Sequence, residues 1–334
     1  MTFEQPMTRR SILSVAGASA AGGLIALPTT ALSQAAAWPS RPVRLVVPFA
    51  AGGPADTLAR FISIRLSREF GQPVVIDNKA GAGGTLGAAD VAKSTDGHSL
   101  LFSSTGALTV VPAVSTSMTY NPDTDLSAVG QAVVTPQVIV VASNSKITNL
   151  RELVAAAKAA PGKLNFASAG SGTTTQLGAE LLKREANVFM THIPYRGAAP
   201  AIVDVMAGNA DFLVADVPAV MSFIAGNRLR ALAIAAPKRS EALPQVPTTA
   251  EAGLPNVLSS TWYGVMAPSK TPAAVIARAN EALNRVLQQP DSLAFFKEQG
   301  VTPVGGTPQD FARFIQSESA KWGSLAKRAG VTMN

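Results

Sequence analysis

Short, β-branched apolar segments alternate with helical segments along most of this 334-residue chain. The first three predicted strands are Val43–Phe49, Val74–Asp77 and Leu100–Ser103, and the helices between them end near Phe70 and Ala92. A βαβαβ order requires crossover helices that cover the faces of a parallel sheet. We therefore predict an α/β fold in which mostly parallel sheets are flanked by helices.

A second set of alternating segments follows. Its predicted strands are Gln137–Ala142, Leu164–Ala167, His192–Tyr195, Phe212–Ala215 and Ala231–Ala235. Leu150–Ala160 and Ala198–Ala207 are predicted to be helices. A later strand, Thr261–Ala267, and two C-terminal helices are predicted to return to the first set. We expect two lobes, residues 41–138 plus 262–334 and residues 139–261, with two chain crossings as a hinge. Spacing alone leaves two sequential domains open.

The first 33 residues have the pattern of an export signal. Arg9 and Arg10 precede a mildly apolar segment rich in Gly and Ala, and small residues follow at Ala31 and Ser33. A membrane anchor is the alternative, but glycines dilute this segment, and a span needs about 20 strongly apolar residues. We predict a signal peptide over residues 1–33, twin-arginine export and a periplasmic protein after cleavage.

The composition and the motifs argue against most kinds of catalysis. Cysteine is absent and histidine occurs twice, which removes disulfides, Cys-ligated zinc, iron–sulfur clusters and thiol chemistry. The net charge of +7 is not concentrated in a basic run, so no nucleic-acid interface is expected. Ser171 has Ala169 where a nucleophile elbow requires Gly, and Leu86 replaces the third Gly of a dinucleotide fingerprint. We expect no catalytic residues, no cofactor and no metal.

Two Gly-rich turns connect predicted strands to helices. Ala51-Gly52-Gly53 precedes the first helix, and Ser168–Thr174 precedes a helix of the second set. Free N–H groups and the helix dipole bind anions at such positions without Lys or Arg, and ligands of open α/β sheets lie at these strand ends. One turn from each lobe would therefore hold a small carboxylate. The alternative is that the glycines serve packing alone.

Four polar side chains near the cleft have both a structural and a ligand-binding interpretation. Asp56 either complements the start of its helix or reaches the ligand through water or an amino group. Thr173 and Gln176 have the spacing of a capping box. Asp216 either ends a strand or faces the cleft.

Motifs of a known family follow one another in order along the chain. They are Arg41–Phe49, Ala51–Arg60, Gly71–Asn78, Gly81–Gly84, Asp96–Leu101, Ile193–Gly197, Leu229–Ala233, Leu243–Thr248, Glu251–Pro255 and Trp262–Gly264. In this order they resemble the Bug family, the periplasmic receptors of tripartite tricarboxylate transporters. The resemblance implies a type II periplasmic binding protein fold, a two-lobed Venus flytrap that closes on a small organic acid.

The resemblance also implies which residues contact the ligand. The first lobe would supply Phe49, Ala51, Gly52, Gly53, Pro54, Ala55, Asp56, Thr57, Ser104 and Thr105, and the second lobe Ser168, Ala169, Gly170, Ser171, Gly172, Thr173, Thr174, Gln176 and Asp216. Gln176 stands where many relatives have His. Because Gln cannot carry charge, this departure points to a different ligand preference.

Together, these features predict a monomeric extracytoplasmic receptor. It would capture a mono- or dicarboxylate and deliver it to the membrane subunits of a tripartite tricarboxylate-type transporter. One alternative is a ligand-sensing receptor of a signalling system. A second is a secreted hydrolase, which would need His98 or His192 as its base, although both are interpreted as structural. The identity of the acid stays open.

Overall fold

The computed structural model describes residues 38–328, 330 and 331, so the predicted signal peptide lies outside the described residues. The strands are β1 Val43–Val47, β2 Val74–Asn78, β3 Ser99–Ser104, β4 Leu126–Ala142, β5 Asn165–Ser168, β6 Thr191–Pro194, β7 Phe212–Asp216, β8 Leu229–Ile234, β9 Ser260–Pro268 and β10 Thr302–Pro303. The helices are α1 Pro54–Phe70, α2 Thr85–Ala92, α3 Val111–Val114, α4 Pro122–Asp125, α5 Leu150–Ala159, α6 Thr174–Ala186, α7 Ala198–Ala207, α8 Val217–Ala225, α9 Ala273–Gln288, α10 Pro290–Glu298 and α11 Pro308–Arg328.

The strands form two parallel groups joined by antiparallel strands. β1 pairs in parallel with β2 and β3, and β5 pairs in parallel with β6 and β7. Between these groups β9 is antiparallel to β3 and β4, and the second half of β4 is antiparallel to β7 and β8. The predicted α/β class is confirmed. The centre is antiparallel because β4 and β9, which cross between the groups, run in opposite directions.

The main differences from the sequence-based expectation are in β4, α8 and α10. β4 has 17 residues, whereas the sequence predicts a strand only over its end, Gln137–Ala142. Gly130 and Pro136 interrupt the apolar pattern of its first half, and the pairing with β9 contains two register shifts. Helices α8 and α10 were not predicted, because each has a proline in its first turn, Pro218 or Pro290, that is typical of a turn.

Buried side chains cover both faces of the strands. In the first group Leu45, Leu58 and Leu283 belong to one core between β1, α1 and α9. Along the second half of β4, Val138 and Val140 pack into a core with α7 and α8, while the alternate residues, such as Ile139, pack with α5 and α6.

The boundaries of the two lobes stay a prediction, since the described residues belong to one compact unit. Among the described helices, none combines the length and the apolar character that crossing a membrane requires.

Candidate functional site

A cavity lies where the carboxyl ends of the two parallel strand groups meet. Helices α1, α6 and α7 all begin at its wall. The lining residues are Phe49, Ala50, Ala51, Gly53, Pro54, Ala55, Ser104, Ala169, Thr173, Thr174, Thr175, Gly197, Ala198, Ala199, Pro200, Leu213, Ala215, Asp216, Thr261 and Tyr263. None of these described lining residues is Lys, Arg or His, so the helix N-termini are the source of positive potential at this wall.

A second, outer cavity adjoins the first. Phe49, Ala50, Ala169 and Gly197 line both cavities and therefore form the neck between them. The outer cavity is lined further by the Gly-rich loop over residues 80–84 and by Arg196. The cleft thus has an inner compartment without basic side chains and an outer one that contains a basic side chain.

Asp56 organises the turn before α1 and does not line either cavity. Its Oδ2 accepts hydrogen bonds from the Gly52 N–H and the Arg60 Nε, both at 2.9 Å, and its Oδ1 accepts one from the Asn78 Nδ2 at 2.9 Å. Burial alone would raise the pKa of this carboxyl, but hydrogen bonds from Arg60, Gly52 and Asn78 lower the pKa below its ordinary value. Asp56 therefore fixes the position of Gly53, the N-cap residue of α1.

Replacement of Asp56 by Ala is expected to weaken ligand binding about ten-fold and to lower the free energy of unfolding by about 1–2 kcal/mol, because three donors lose their acceptor. The folded-state pKa is depressed, so the stabilisation is present above pH 4 and is lost as the pH falls through the folded pKa. Urea unfolding at pH 7 and pH 3 measures this effect. If the free energies of unfolding of wild type and Asp56→Ala differ by the same amount at both pH values, the charge-dependent role of Asp56 is contradicted.

The turn before α6 is held by its own hydroxyl groups and by Gln176. The Thr173 Oγ1 donates to the Gly170 carbonyl at 2.6 Å, and the Thr175 Oγ1 accepts from the Ala169 N–H at 2.9 Å. The Gln176 Oε1 accepts from the Gly172 N–H at 2.9 Å. The predicted capping box is therefore wrong, because the Thr173 and Gln176 side chains bond to turn residues instead of to each other's N–H groups.

The backbone of Gly170 has a φ of +136°, a conformation that residues with a Cβ rarely adopt. This residue gives the turn the shape in which the Gly197 N–H donates to the Ala169 carbonyl at 3.1 Å. The turn before α6 is thereby tied to the start of α7.

The N-terminus of α7 is a part of the wall that the sequence-based prediction missed. Its first residues, Ala198, Ala199 and Pro200, line the cavity together with the N-cap residue Gly197. The sequence signal for it was the Gly197–Pro200 segment, in which a glycine stands directly before the helix and a proline falls in the first helical turn. Small side chains at this position leave the helix terminus open to the cavity.

His192 and Ser168 form a close pair away from the cavity wall. The Ser168 Oγ lies 2.6 Å from the His192 Nε2, and the imidazole stacks on Phe166 with ring centroids 4.9 Å apart. Burial, together with the charge of Lys183, lowers the pKa of His192 to about 4. Ser168 is fully buried, so no substrate carbonyl reaches its hydroxyl in this arrangement.

Asp216 ends β7 and is buried at the cavity wall. Its Oδ1 accepts from the Thr261 Oγ1 at 2.6 Å and from the Gln137 Nε2 at 3.2 Å, and its Oδ2 accepts from the Tyr263 OH at 2.8 Å. Burial raises the pKa of Asp216, and these three hydrogen bonds only partly offset the increase. The donors come from β4 and β9, the two crossing strands.

The predicted site residues divide into those at the inner wall and those behind it. Residues that line the inner cavity are Phe49, Ala51, Gly53, Pro54, Ala55, Ser104, Ala169, Thr173, Thr174 and Asp216. Gly170 and Ser171 line the outer cavity. Those that line neither are Gly52, Asp56, Thr57, Thr105, Ser168, Gly172 and Gln176. Several of these residues stabilise the turns before α1 and α6 without lining a cavity.

Two parallel strand groups, joined by crossing strands and with a cavity at their facing ends, define a two-lobed type II periplasmic binding protein fold. Residues 58–331 match the family described as tripartite tricarboxylate transporter family receptor. The protein BugT of Bordetella pertussis is 37% identical over 329 residues, which cover 98% of this chain and 99% of BugT.

Solved structures of related receptors are also similar to this chain. The periplasmic binding protein BugD has a TM-score of 0.84 and 31% identity, covering 89% of this chain and 100% of BugD. Rpa4515 of R. palustris with adipate has a TM-score of 0.86 and 34% identity, covering 88% and 99%. MatC of Rhodopseudomonas palustris with bound malate has a TM-score of 0.81 and 32% identity, covering 86% and 99%. The chain belongs to the tripartite tricarboxylate transporter receptor family, and the predicted Bug resemblance is confirmed.

Proposed function

We propose that the protein is an extracytoplasmic receptor that binds a small mono- or dicarboxylate between two lobes, residues 41–138 plus 262–334 and residues 139–261. The observation that carries this proposal is the cavity wall itself, into which three helix N-termini open. Helix N-termini favour anions through free N–H groups and the helix dipole. The adipate and malate bound by Rpa4515 and MatC support the same ligand class.

The protein would deliver its ligand to the membrane subunits of a tripartite tricarboxylate-type transporter. Family membership supports this step, and the predicted twin-arginine signal over residues 1–33 supports a periplasmic location. We expect a monomer that acts without a cofactor. A ligand-sensing receptor of a signalling system would use the same cavity, and gene neighbours that encode transporter membrane subunits would distinguish the two roles.

A hydrolase is disfavoured by the environments of the two Ser–His pairs among the described residues, Ser168–His192 and Ser40–His98. The Ser168 hydroxyl is fully buried and also contacts the backbone of Gly170, with the Oγ 3.2 Å from both the carbonyl O and the N. The other histidine, His98, contacts Ser40 and the backbone of Asp96 at the surface turn before β3. Neither arrangement presents a nucleophile and a base to the cavity.

Thermal unfolding of the protein in the presence of mono- and dicarboxylates tests the proposal. Ligand at about 100 times its Kd adds about 2.7 kcal/mol of stability, which raises the Tm of a chain of this size by about 5 °C. We expect such a shift with at least one acid and none with neutral analogues, such as the matching diamides. If every acid leaves the Tm unchanged, mass spectrometry of the denatured protein must reveal a co-purified acid, or the proposal is wrong.

A further inference from the structure

Asp216 presents a carboxyl group to a cavity whose wall otherwise suits an anion. It is the only Asp or Glu among the described lining residues, and no Lys or Arg accompanies it there. The residue is buried and retains 5% of its accessible surface. A buried carboxyl at an anion-binding wall requires an explanation, because it would repel a ligand carboxylate placed beside it.

The side chains that form hydrogen bonds with this carboxyl all act as donors. A carboxylate only accepts, so the Thr261 and Tyr263 hydroxyl groups donate to Asp216, and the Gln137 amide does the same. The Thr174 Oγ1 lies 2.5 Å from the Thr261 Oγ1. Since Thr261 has already used its hydrogen, Thr174 must donate to Thr261. The side chains of Asp216, Thr261 and Thr174 therefore have no hydrogen left to donate to a ligand.

One acceptor position of the carboxyl is still open. Each carboxylate oxygen accepts about two hydrogen bonds. Among the described residues, the Oδ1 of Asp216 has two donors, Thr261 and Gln137, whereas the Oδ2 has only Tyr263. Burial of this carboxyl is unfavourable for its charged form, so a further donor at Oδ2, and above all a cationic one, would stabilise it.

We propose that Asp216 determines the specificity of the cavity and selects acids that carry a hydroxyl or ammonium donor over the corresponding unsubstituted acids. The ligand carboxylate would face the N-termini of α1, α6 and α7, and the donor would face Asp216. This inference rests on the proposed carboxylate-binding function and narrows it to hydroxy acids and amino acids.

Calorimetric titration with matched ligand pairs tests the inference. The pairs are malate and succinate, aspartate and succinate, and glutamate and glutarate, each differing by one donor group. For the wild-type protein we expect at least one substituted acid to bind about ten-fold or more tightly than its partner, as a hydrogen bond to a charged group implies. Asp216→Asn keeps the shape of the side chain but brings an amide donor, so this preference should fall to about two-fold or less.

Tyr263→Phe provides a second variant that shifts specificity in the opposite direction. It removes the Tyr263 donor and leaves two open acceptor positions on Oδ2, so the preference for the substituted acid should increase several-fold. Ser104→Ala is the control, because Ser104 lines the same cavity without a hydrogen bond to Asp216, and both members of a pair should change equally. A purely structural role of Asp216 would change all affinities together without altering their ratio.

The outcomes separate this inference from the proposed function. Binding of succinate or glutarate as tightly as of their substituted partners overturns the inference and leaves the carboxylate receptor intact. An unchanged ratio in Tyr263→Phe overturns it as well, even if Asp216→Asn does not fold. Failure of the wild-type protein to bind any of these acids overturns the inference. The carboxylate receptor is overturned only if the wider panel of acids also leaves the Tm unchanged and no co-purified acid is present.

Discussion

Replacement of Ala199 by Asp is expected to lower the affinity for a carboxylate ligand about 100-fold. The new carboxylate would lie beside the carboxylate of the ligand, and two like charges side by side in a binding site cost several kcal/mol. Ala199 lies in the first turn of α7 and lines the cavity with its side chain exposed. An acidic residue in a first turn is favourable for the helix itself, so the fold should be kept. Calorimetric titration together with the Tm of the ligand-free protein separates binding from stability.

Ala199→Asn is the matched control for this prediction. Asn has nearly the same size as Asp but no charge, so it should change the affinity only a few-fold. A large loss in Ala199→Asp and a small one in Ala199→Asn would show that charge at this helix terminus governs binding. Similar affinities of both variants would mean that the ligand anion does not use the N-terminus of α7.

Replacement of Gly264 by Ala is expected to lower the free energy of unfolding by about 1–3 kcal/mol, the usual cost of overpacking a core. A Cβ at this position of β9 would lie 2.6 Å from the Phe311 Cε1 and 3.0 Å from the Gly130 carbonyl oxygen. Phe311 is buried and packs edge-on against Trp262 with ring centroids 5.5 Å apart, so its ring has little room to move. Urea unfolding of the ligand-free protein measures the loss.

A double-mutant cycle with Phe311→Leu identifies the cause of this loss. Leu removes the ring atoms that a Cβ at position 264 would meet, so the two substitutions together should destabilise by about 0.5–3 kcal/mol less than the sum of the single effects. Strict additivity would mean that the contact between Gly264 and Phe311 is not what requires glycine, and the approach of the Gly130 carbonyl oxygen would then be the remaining explanation.

Local patterns predicted the elements that frame the cleft well. The end of α1 at Phe70, the span of α7 and the return strand near Thr261–Ala267 follow from apolar periodicity and from proline and glycine positions. The first half of β4 was missed because its pairing with β9, rather than its own pattern, makes it a strand. This difference is physical: a helix forms its hydrogen bonds within one segment, whereas a strand depends on a distant partner.

The candidate site was predicted in outline, and the roles within it depended on contacts that lie far apart in sequence. The turns at Gly53 and Thr173 are recognisable from glycines next to helix starts. No local signal indicates that Asp216 meets Thr261 and Tyr263, which follow more than 40 residues later. Asp56 shows the same limitation, because its partner Asn78 comes from the next strand of the sheet.

The sequence by itself determined the α/β class and the family, and it led to the proposal that backbone N–H groups instead of basic side chains hold the anion, since all three depend on residue types and short-range order. Only the tertiary structure decided which residues line the cavity, that α7 contributes its N-terminus, and that the Asp216 carboxyl collects three donors from the crossing strands. The reason is that local patterns fix where helices and strands begin, whereas hydrogen-bond direction and burial arise only when distant segments pack together.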